Sequence, residues 1–232
     1  MNNEVLDIAK KFVSTHFPEC EIALLSGSVV RGEETPSSDL DIIIIDSVSF
    51  RKSYLFFDWP IEAFVHNKES LDYTFFIEKH HGIPIVTRMC AEGVIIKGDE
   101  AANDLIKKGK ENLLDGPSEL SQKKLDEARY TISDLIIDFE GSEVEEEDIY
   151  TVTALTDCLH RFILRANQMW TGEGKWMYRS LRKYDEAIAE RFTQCINNFY
   201  KTNQKDELIQ FVDEILHPYG GRLFHEYTQS TI

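Results

Sequence analysis

No apolar run in the 232 residues approaches the length of a membrane span. Glu4, Asp7, Lys10 and Lys11 interrupt the apolar residues of the opening segment, so it is not expected to act as a secretory leader. The four cysteines, Cys20, Cys90, Cys158 and Cys195, are scattered without a CxxC pair. That argues against a disulfide framework or a zinc site and for free thiols in a reducing cytosol. Positive charge is scarce, with 25 Lys and Arg against 41 Asp and Glu, a net −16. Through Pro117 the count is 12 against 20, and from Ser118 onward 13 against 21, so the acidity is spread over both halves. Without a basic stripe, such a chain repels nucleic-acid phosphates and attracts cationic small molecules. Repeats and low-complexity stretches are also missing. The expectation is a cytoplasmic protein whose partners are neither membrane nor nucleic acid.

Hydrophobic content of 42% and charged content of 28% over this length suit one large domain or two modest ones. Val5, Ile8, Ala9, Phe12, Val13 and Phe17 recur at helical spacing, which predicts a helix over about 4–17 ended by Pro18. "EIALLS" predicts a short strand running into Gly27-Ser28. "EETPSS" is loop chemistry, and "DLDIIIID" is a strand too apolar for exposure on either face, hence central. "SYLFFDWPIEAFVHN" predicts two strands around a turn near Asp58-Trp59-Pro60. Asn67 should cap a helix that Gly82 stops. After a short segment over 85–92 and a strand "GVIIKG", the chain reads as helical. The expected helices cover "DEAANDLIKKGKENLL", ended by Asp115-Gly116-Pro117, "SELSQKKLDEARYTISDLIIDFE", stopped by Gly141, and about 143–170, with two more after the loop "TGEGKW". Strands crowd the first hundred residues and helices the rest. The fold class is therefore α+β, a mixed sheet with flanking helices followed by a helical bundle, divided as 1–117 and 118–232.

Three features carry chemistry. Gly27 lets backbone approach a ligand closely, and Ser28 adds a hydroxyl and an N–H at a helix start, which together suit an anion. Asp39 and Asp41 point the same way along an extended chain, roughly 6–7 Å apart at Cα, and paired oxygens of this kind suit a hard divalent cation. Glu62 stands between Ile61 and Ala63 on a later strand. A phosphate cradle beside three carboxylates equips a site for metal-assisted nucleotidyl transfer. Gly27 and Gly32 have the spacing of a P-loop's glycines, but Glu33 stands where its lysine belongs, and Ile43 to Ile45 replace the polar ligands of a calcium loop.

Gly27-Ser28, ten further residues, and then Asp39-Leu40-Asp41-Ile42 resemble the signature of the DNA polymerase β-like nucleotidyltransferase superfamily, with Glu62 in the place of its third acid. The length and helical second half look most like the small antibiotic nucleotidyltransferases of the kanamycin type. The resemblance implies transfer of a nucleoside monophosphate, AMP from ATP, to a hydroxyl of a small molecule such as an aminoglycoside-like or lincosamide-like antibiotic, with pyrophosphate released. It places Mg²⁺ (or Mn²⁺) on Asp39 and Asp41. Glu62 is then a metal ligand, a general base, or both in sequence. Gly27 and Ser28 meet the phosphates and Arg31 reaches the triphosphate. A protein or tRNA acceptor, or a regulatory module that binds nucleotide without turnover, stands as the alternative.

The remaining polar groups read mostly as structure. Glu127, Asp134 and Asp138 form a helical stripe that attracts an amine-bearing acceptor if it faces a cleft between the halves and is otherwise a solvated face. Asp157 and Arg161 suit an i,i+4 ion pair. Trp170, Trp176 and Tyr178 suit packing ahead of stacking on a ligand, Lys175 suits phosphate or solvent equally, and His80-His81 suit a helix end. His66 shares a strand face with Glu62.

Overall fold

The computed structural model describes residues 3–225 and 227–228. The chain divides into two compact units, one ending at Gly116 and the other starting at Pro117. The first contains β1 (Ile22–Ser26), β2 (Leu40–Ile45), β3 (Phe50–Phe56), β4 (Trp59–His66) and β5 (Val94–Lys97), with α1 (Asn3–His16), α2 (Ser28–Arg31), α3 (Lys68–His81), α4 (Ile85–Glu92) and α5 (Asp99–Asp115). The strands form one mixed sheet in the order β3-β4-β2-β1-β5. Only β2 and β4 run parallel; the other neighbours are antiparallel.

The isoleucine run explains the layering. Alternation along β2 sends Ile42 and Ile44 to one face, where they pack with Val5, Ala9, Phe12 and Val13 of α1. Ile43 and Ile45 go to the other, where they meet Leu71 and Phe75 of α3, Met89 of α4 and Leu105 of α5. A strand covered on both faces needs no polar residue until it leaves the helices, and Asp41 stands at that end.

Local signals set the elements. Asn67 accepts from the Ser70 amide in a reciprocal capping box, and Gly82 ends α3 at φ 80°. The segment over 85–92 is α4, whose Val86 and Thr87 amides donate to the buried Glu78 carboxylate at 2.6 and 2.8 Å. The β3–β4 connection differs from expectation. The turn is Phe57-Asp58, both at positive φ (49° and 63°), and Trp59-Pro60 already belongs to β4. Pro60 is tolerated there because pairing with β2 begins only at Ile61. Asp39 likewise precedes β2, which starts at Leu40.

The second unit holds α6 (Gln122–Gly141), α7 (Glu145–Ala166), α8 (Lys175–Tyr184), α9 (Glu186–Thr202) and α10 (Asp206–Leu216). Among the described residues three helices thus follow the glycine loop where two were expected, because Asp185 caps α9 through the Ile188 amide and Asn203 ends it in a left-handed conformation. α7 stops at Ala166, short of the predicted 170. Ile132, Ile136, Phe139, Leu155, Leu159, Phe162, Phe192, Phe199 and Phe211 build its core. The Lys205 ammonium donates to the carbonyls of Phe139 and Ser142 at 2.7 and 2.8 Å and pairs with Asp148 at 2.6 Å. That one cation ties the end of α6 to the starts of α7 and α10. Among the described residues no helix is long and apolar enough to cross a membrane.

Candidate active site

The sheet register assembles the acids. Asp41 is paired with Ser26 at the end of β1 on one side and with Glu62 of β4 on the other. Asp39 sits two residues before Asp41, and carboxylate oxygens of Asp39, Asp41 and Glu62 lie within 4.8 Å of one another. Burial pushes the Asp41 carboxyl up to about 6, helped by the neighbouring charges of Asp39 and Glu62; Arg31 and Arg51 oppose the shift.

Gly27 turns the chain beside this cluster at φ 82°. A Cβ built there would stand 2.1 Å from Asp41 Oδ2, so both the backbone conformation and the space require glycine. Ser28 opens the four-residue α2, and its hydroxyl donates to Ser38 Oγ at 3.2 Å. Ser38 also accepts from the Thr35 amide at 2.9 Å, which shapes the loop leading to Asp39. Arg31 points its guanidinium at Glu33 and Glu92, each at 3.0 Å.

Arg51 and Ser53 of β3 escaped the sequence reading. Arg51 Nη2 donates to Glu62 Oε2 at 2.5 Å, and the Ser53 hydroxyl lies 3.5 Å from Oε1. Ser53 is the cross-strand partner of Glu62. A two-residue turn at 57–58 fixes that pairing, so locating the turn would have found both residues. Ser26 was missed as well. It is fully buried, and its hydroxyl has no hydrogen-bond partner among the described residues.

The donor set fits a divalent cation. Three carboxylates converge, one of them resists ionisation because it is buried beside the other two, and an orphaned hydroxyl stands on the strand paired with it. Asp39, Asp41 and Glu62 are the groups that would hold it.

Other candidates are not gathered here. His66 stands at the opposite end of β4, paired with Ile45, with the Ser70 hydroxyl 3.4 Å from Nδ1. Glu127 pairs with Lys124, while Asp134 and Asp138 are exposed. Asp157 and Arg161 form the expected ion pair at 3.1 Å, and Arg161 also approaches Glu173 at 3.6 Å. Trp176 packs on Gly172, where a Cβ would come within 2.4 Å of it, and Arg179 lies over its ring. Tyr178 and Lys175 are exposed, and His80 and His81 occupy the last turn of α3.

Residues 6–109 match the family described as "Nucleotidyltransferase domain". The sheet unit is a nucleotidyltransferase-like domain. The match is to the domain family as a whole and not to kanamycin-type enzymes in particular. No curated protein matches the chain by sequence. Among solved structures, a nucleotidyltransferase-like protein from Exiguobacterium sibiricum aligns at 12% identity and a TM-score of 0.46, over 92% of this chain and 75% of its own.

Proposed function

We propose that this chain is a metal-dependent nucleotidyltransferase that moves a nucleoside monophosphate, AMP from ATP, onto a hydroxyl of a small acceptor and releases pyrophosphate. The observation that carries this reading is the convergence of Asp39, Asp41 and Glu62 within 4.8 Å inside a nucleotidyltransferase-like domain. Asp39 and Asp41 are assigned to holding Mg²⁺ or Mn²⁺, with Glu62 as a further ligand, a base, or each in turn. A divalent cation there supplies charge neutralisation to the triphosphate and to the departing pyrophosphate.

The other steps belong to the chain's own groups. In its role as base, Glu62 takes the acceptor hydroxyl's proton on a carboxylate oxygen as the acceptor oxygen bonds to the α-phosphorus. The bond from that phosphorus to the pyrophosphate oxygen breaks in the same displacement. Gly27 keeps the corner clear of side chain, and Ser28 offers its N–H and hydroxyl to phosphate, the hydroxyl turning away from Ser38 to do so. Arg31 is assigned to phosphate by exchanging Glu33 or Glu92 for it. The helical unit is assigned to acceptor recognition, and the net −16 favours an amine-bearing acceptor.

Incubation with ATP, Mg²⁺ and a panel of hydroxylated acceptors, aminoglycosides and lincosamides among them, tests this. Pyrophosphate and an acceptor heavier by one AMP are expected, and Asp39→Ala and Asp41→Ala should abolish both. Failure to label any acceptor with any divalent metal, or full activity in either variant, would end the assignment.

A further inference from the structure

Arg51 stands outside the machinery assigned above, yet it touches it. It lies on β3 directly across from Phe64, and its guanidinium carbon is 4.6 Å from that ring's centroid. Its Nη2 donates to Glu62 Oε2 at 2.5 Å. The side chain is 62% exposed, and an exposed ion pair by itself contributes little. This one is held twice, with the Phe64 ring under its guanidinium carbon and the Glu62 carboxylate at Nη2, so little ordering remains to be done when it pairs. Its carboxylate partner belongs to the acidic cluster, where like charges destabilise one another. Arg31, the other cation acting on Asp41, has its guanidinium on Glu33 and Glu92.

We propose that Arg51 is the resident counter-ion of this site: it holds Glu62 in the metal-free protein and yields that carboxylate when a divalent cation binds. The inference rests on the assignment of a metal to Asp39, Asp41 and Glu62. Arginine and cation compete for the same oxygen, and the competition is reciprocal. Arg51 therefore weakens metal uptake and stabilises the metal-free fold. Stacking on Phe64 keeps the displaced guanidinium on β3, ready to return. A residue that merely oriented Glu62 for the metal would have the opposite effect on uptake.

Mn²⁺ binding to the full chain without nucleotide, read from the electron paramagnetic resonance of the free ion, decides the matter when combined with metal-free melting curves. Arg51→Gln should bind Mn²⁺ more tightly, by about ten-fold, and melt at a lower temperature in EDTA. Arg51→Lys, which keeps the charge but loses the planar fork, should fall between. Arg182→Gln, which breaks an exposed pair with Glu186 in the helical unit, should match wild type and so controls for net charge. Unchanged or weaker Mn²⁺ binding by Arg51→Gln, with wild type binding normally, would overturn the counter-ion role and leave the metal assignment standing. Absence of Mn²⁺ uptake by both wild type and Arg51→Gln would overturn the metal assignment, and the counter-ion role with it.

Discussion

Neutralising Asp41 tests whether the acids are crowded as described. The carboxyl is raised from 3.8 to about 6, first by burial and then by Asp39 and Glu62. At about 1.36 kcal/mol per pH unit, ionised Asp41 makes the metal-free fold about 3 kcal/mol less stable than it would be without the shift. The sign follows from linkage. A group whose folded pKa lies above its unfolded value contributes stability that is complete below the unfolded value and is lost as pH rises through the folded one. Asp41→Asn should therefore track wild type near pH 4, pull ahead between about pH 4 and 6, and hold a lead of about 3 kcal/mol above that. Urea unfolding in EDTA across this range measures the gap. Added Mg²⁺ should close it by stabilising wild type alone. Curves that stay parallel at every pH, or a variant less stable than wild type at pH 8, would refute the reasoning.

Three further sets of substitutions probe the two units separately. Gly27→Ala forces a side chain into a left-handed backbone and against Asp41 Oδ2; a loss of about 2 kcal/mol or more in urea unfolding is expected, with Mn²⁺ uptake impaired. Lys205→Met leaves the Asp148 carboxylate, 2% exposed, without its cation and should cost about 3–5 kcal/mol by the same assay. Adding Asp148→Asn should restore much of that loss. At the β3–β4 turn, Phe57→Asn with Asp58→Gly replaces two residues strained at positive φ and should raise stability by about 1 kcal/mol, visible as a later urea midpoint.

The sheet's centre was legible because burial leaves a strong imprint. Four consecutive β-branched isoleucines suit a strand covered on both faces, and the acids beside them mark where cover ends. Asn67, Gly82 and the Asp115-Gly116-Pro117 stop of α5 were readable for local reasons, each a cap or a stop with one physical use. The β3–β4 register was not. Proline and tryptophan drew the expected turn towards 58–60, whereas the chain turns at Phe57-Asp58, a pair with no turn signature of the Asn-Gly kind. That displacement hid Ser53 and Arg51, whose relation to Glu62 exists only once the strands are paired. The extra break at Asp185 was missed because a single capping aspartate inside a long polar helical pattern looks like another surface charge. Ser26 escaped because a serine closing an apolar strand gives no sign that its hydroxyl will be orphaned.

Calorimetric titration of ATP into the full chain, with Mg²⁺ present and then with EDTA in its place, tests the central claim most directly. Nucleotide uptake that requires the cation and vanishes in Asp39→Ala and Asp41→Ala is the predicted result. Uptake that is equal with and without the cation, or none under either condition, would contradict it.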